Sequence, residues 1–75
     1  MIIGVPKEIK TKETRVAVTP TTVRKLAQKD HRVLVETNAG LLSGFSDELY
    51  TQAGAQIVVQ AEKVWNEAQM IVKVK

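Results

Sequence analysis

The chain has 75 residues, of which 44% are apolar and 25% charged, with a formal net charge of +3 and no cysteine. This composition suits one folded domain or part of one, and it excludes a disulfide framework and a thiolate metal site. Basic and acidic residues are interleaved, the only aromatics are Phe45, Tyr50 and Trp65, and no run approaches ~20 apolar residues, which argues against a nucleic-acid face and a membrane span.

Ile2 to Val5 is a short apolar run closed by Pro6, and it reads as a buried strand. The same stretch lacks the basic flank and long apolar core of a signal peptide. Lys7 to Thr14 is charged and without clear period, so it reads as a loop, with room for one helical turn. Val16-Ala17-Val18 is a further short apolar run of strand type. Thr19-Pro20 opens a helix, with Thr19 as cap and Pro20 at the first helical position. Val23, Leu26 and Ala27 give that helix its apolar stripe, and Asp30-His31 breaks it. Val33-Leu34-Val35 is the next strand core. Asn38 to Phe45 is a loop with two glycines. Ser46 caps a short helix on which Leu49 and Ala53 share a face, and Gly54 stops it. Ile57-Val58-Val59 is a strand, Ala61, Val64, Trp65 and Ala68 mark an amphipathic helix, and Met70 to Val74 is a last strand.

Strands alternating with short helices predict an α/β fold: a partial Rossmann-like, mostly parallel sheet with flanking helices. The apolar runs are continuous, as strands covered on both faces require. The last strand has no helix after it, so the expectation is an incomplete domain.

Few residues offer chemistry. His31 is a lone histidine at a helix-to-strand turn and lacks the partners of a general base or a metal site. The glycines do not form Gly-x-Gly-x-x-Gly or a phosphate-binding loop. Arg15 closes a charged loop that follows a strand, where ligands of α/β sheets bind. Its guanidinium suits either a bidentate grip on a carboxylate or a weak surface pair. Lys73 and Lys75 alternate with Val72 and Val74. A lysine there either reaches into a cleft to meet a carbonyl or carboxylate, or protects an edge strand by its charge.

The motifs taken together resemble a known family. Gly4-Val5-Pro6-Lys7-Glu8, Glu13-Thr14-Arg15-Val16-Ala17-Val18-Thr19-Pro20, Val35-Glu36-Thr37-Asn38-Ala39-Gly40, Gly44-Phe45-Ser46-Asp47, Ala53-Gly54-Ala55 and Lys73-Val74-Lys75 are similar, in order, to the amino-terminal signature of the alanine dehydrogenase and pyridine nucleotide transhydrogenase family. Gly44-Phe45-Ser46-Asp47 and Lys75 resemble the dehydrogenase branch more closely. Lys12 and Asp30 depart from the asparagine and glycine that the family often carries.

The resemblance implies that residues 1–75 are the amino-terminal part of a substrate-binding domain, with the cofactor domain absent from this chain. It implies interconversion of L-alanine with pyruvate and ammonia by an NAD-dependent enzyme. Arg15 would hold the substrate carboxylate and Lys75 would contact the substrate oxygens. No catalytic, cofactor-binding or metal-binding residue is expected within the chain. The catalytic histidine and aspartate would lie elsewhere, and His31 does not match that histidine. A cytoplasmic homo-oligomer, a hexamer in the family, is implied, with a small-molecule substrate and no nucleic-acid or membrane partner. The alternatives are the corresponding segment of a transhydrogenase alpha subunit and a non-catalytic interaction module.

Overall fold

The computed structural model describes residues 1–7 and 18–73, apart from the side chain of Leu42. Among the described residues four strands form: β1 (Ile2–Val5), β2 (Arg32–Glu36), β3 (Gln56–Val58) and β4 (Met70–Ile71); of the further run read as a strand, Val16 and Ala17 lie outside the described residues and Val18 is in no strand. Three helices alternate with them: α1 (Pro20–Gln28), α2 (Asp47–Ala53) and α3 (Ala61–Glu67). All pairings are parallel, and the order across the sheet is β3-β2-β1-β4. The chain therefore winds outward from β1 to β3, then returns past its start to lay β4 on the other side of β1.

This winding places the helices on opposite faces. Side chains alternate across a strand, and β2 shows the consequence. Val33 and Val35 join Val5, Val18, Val23, Tyr50, Ala53 and Ala55 beneath α1 and α2. Leu34 points the other way, to Val58 and Val64 beneath α3, with Ile2 and Ile71 packed alongside. Burying a Val or Leu side chain contributes about 1.5–3 kcal/mol, and a strand covered on both faces collects this from every residue.

The helix ends follow the sequence closely. The Thr19 side chain accepts from the Thr22 N–H at 3.3 Å, and Pro20 opens α1 without a donor to satisfy. Ser46 accepts from the Leu49 N–H at 3.3 Å, and Asp47 and Glu48 sit in the first turn of α2, where the helix dipole favours them. Gly54, with φ of 112°, ends that helix. Asp30 takes φ of 66°, the left-handed conformation the turn demands. A 3₁₀ turn over Leu41–Ser43 organises part of the stretch read as loop.

The structure differs from the sequence expectation in three places. In α2 the buried pair is Tyr50 and Ala53, while Leu49 is 43% exposed. The phenol turns inward because its hydroxyl finds a partner there, a point developed below. In α3, Val64 is buried and Trp65 is 49% exposed. The reason lies across the interface at Gly4, where a Cβ would stand 2.7 Å from Ala68 Cβ and 2.8 Å from Val64 Cγ1. The helix sits so close to β1 that only small side chains fit between them, and the indole is left outside. Finally, β3 stops at Val58 with Val59 exposed, and the paired part of β4 is Met70–Ile71, with Val74 outside the described residues. Among the described residues no helix is long and apolar enough to cross a membrane.

Candidate functional site at the carboxyl edge of the sheet

Because every strand is parallel, all four carboxyl ends lie on one edge. The order reverses between β1 and β4, and such a reversal opens a crevice where the helices diverge to opposite faces. The strands bordering it are paired through Ile3 with Met70 and Gly4 with Ile71, and the Val72 N–H donates to the Gly4 carbonyl at 2.9 Å.

Arg15 and Lys75, the two residues singled out as substrate contacts, lie outside the described residues. The points at which their segments join the fold are described. Lys7 follows β1 and Lys73 follows β4, so both stretches leave from the carboxyl ends of the two strands that flank the reversal. The first returns at Val18, which is buried at the mouth of α1.

Polar side chains along this edge hold main-chain groups. Glu36, at the end of β2, accepts the Lys7 N–H at 2.8 Å. Asp47, at the start of α2, accepts from the Asn38 N–H at 2.8 Å and from the Thr37 hydroxyl. The Thr37 N–H donates to the Val58 carbonyl at 2.8 Å. Beneath the edge, the Tyr50 hydroxyl donates to the Val18 carbonyl at 2.8 Å. Burial pushes the Tyr50 phenol up to about 12, so it stays protonated and remains a donor at neutral pH. The ring meets Phe45 edge to face, with centroids 6.3 Å apart. Gly40 packs against it so closely that a Cβ there would lie 2.6 Å from the Tyr50 oxygen.

Lys73 has its ammonium 5.8 Å from the centre of the Trp65 ring. That is a cation–π contact worth about 0.5–1 kcal/mol at an exposed site. His31 lies at the opposite edge, one residue before β2, where its main-chain N–H donates to the Leu26 carbonyl at 3.1 Å. Its buried Nδ1 has no hydrogen-bond partner among the described residues. The structure does not bring His31 to the carboxyl edge. No group of three or more His, Cys, Asp or Glu among the described residues is arranged to hold a metal ion.

A dinucleotide does not fit the chain's own residues at the crevice. Its pyrophosphate needs a glycine turn between the first strand and helix so that the backbone can approach. Residues 6–19 contain no glycine, and α1 begins at Thr19-Pro20.

The contacts of Glu36 and Tyr50 escaped the sequence reading. Their partners stand 29 and 32 positions away, so no local pattern marks them.

Comparison with known proteins gives a consistent picture. A family profile described as "Alanine dehydrogenase/PNT, N-terminal domain" matches residues 4–75. The chain is 59% identical over 75 residues to the alanine dehydrogenase of Bacillus subtilis (strain 168), covering 100% of this chain and 20% of the relative. It is 51% identical over the same length to the alanine dehydrogenase of Methanococcus maripaludis, again with 20% of the relative covered. It thus spans about one fifth of the length of these relatives. Among solved structures, an L-alanine dehydrogenase superposes with a TM-score of 0.93 at 51% identity, covering 97% of this chain and 20% of that one. A transhydrogenase from Sinorhizobium meliloti superposes at 0.87 with 34% identity, covering 97% of this chain and 21% of the other.

Proposed function

The chain belongs to the alanine dehydrogenase/PNT family, as a segment of its N-terminal domain, and on that premise we propose that it serves the substrate side of an NAD-dependent L-alanine dehydrogenase. The observation that supports this reading is the strand reversal between β1 and β4. The carboxyl ends of those two strands lead directly into the segments that carry Arg15 and Lys75.

In this reading Arg15 holds the carboxylate of pyruvate or L-alanine through two parallel hydrogen bonds. Lys75 meets the substrate oxygens and supplies a second positive charge near the reacting carbonyl, where charge develops. Together the two cations fix the 2-oxo acid in one orientation, and fixing orientation lowers the barrier. NAD, as hydride carrier, is held by a cofactor domain outside residues 1–75, and the acid/base histidine and aspartate also come from outside this chain. The active enzyme is a cytoplasmic homo-oligomer, a hexamer.

The test is a graft. Residues 1–75 replace the stretch they match in the Bacillus subtilis relative, and alanine-dependent NAD reduction is followed. The expected result is activity within about tenfold of the parent, as expected for a domain with intact positioning groups. A folded graft without alanine-dependent activity contradicts the proposal.

The second reading, a transhydrogenase alpha-subunit segment, is favoured by the 0.87 superposition. It predicts that the graft folds but fails with alanine.

A further inference from the structure

We draw no further inference here: the strongest candidate, the outer edge of β4, which is unpaired among the described residues and leaves Met70 44% exposed, carries nothing because nothing in the structure shows what covers it.

Discussion

The two faces of this sheet are held by different means. Beneath α1 and α2 lies the larger cluster, and it contains a buried hydroxyl whose bond to Val18 ties the core to the carboxyl edge. Beneath α3 the cluster is three residues, Leu34, Val58 and Val64, with no buried polar side chain among them. Its fit depends on size alone, above all on the missing Cβ of Gly4. The first face joins packing to a buried hydrogen bond, whereas the second relies on packing.

That contrast can be broken by substitution. The largest effect is expected on the α3 face, where few residues share the load. Leu34, 1% exposed, should cost about 2–5 kcal/mol when changed to Ala, as buried Leu-to-Ala changes generally do. Urea unfolding measures it, and a loss under ~1 kcal/mol would mean that the face is not packed as described.

The next effect belongs to the other face and depends on pH. The Tyr50 phenol is pushed from 10.0 up to about 12 by burial. Between those values the unfolded chain releases a proton that the folded chain keeps, so stability is fully present below pH 10 and falls as pH rises towards 12. The loss amounts to about 2–3 kcal/mol at 1.36 kcal/mol per unit. Tyr50→Phe should flatten that part of the pH profile, and an unchanged profile would show that the phenol is not buried.

Gly4→Ala comes third. The added methyl meets Ala68 and Val64 well inside contact distance, and overpacking of this kind costs about 1–3 kcal/mol. Widening the gap with Val64→Ala in the same chain should recover part of it, so a double-mutant cycle should show coupling. Last is Lys73→Ala, expected to cost no more than about 1 kcal/mol through its contact with Trp65. Quenching of Trp65 fluorescence compared between the two chains reports whether that contact forms.

Much of this architecture is legible in the sequence, for local reasons. Thr19-Pro20, Ser46 and Gly54 mark helix ends because caps act within three or four residues. The unbroken run Val33-Leu34-Val35 marks a strand covered on both faces because alternation leaves no exposed position to make polar. What escaped reading depends on distant partners. Apolar spacing selects Leu49 with Ala53, yet Ala53 is buried beside Tyr50 and not Leu49, since only the fold brings Val18 to the Tyr50 hydroxyl. Trp65 reads as a core residue until Gly4 draws α3 too close for it. Arg15 and Lys75 stand apart again. Composition left each of them with two uses, and the resemblance to the family is what favours substrate contact.

The most direct test of the central claim, that the carboxyl edge beside the reversal serves a 2-oxo acid, is the pyruvate dependence of the graft with Arg15→Ala set against His31→Ala. Arg15→Ala should lower kcat/KM for pyruvate about 10²-fold or more, the scale of losing a positioning group, while His31→Ala, at the opposite edge, should stay within about threefold. Equal effects, or an unimpaired Arg15→Ala graft, would contradict the account.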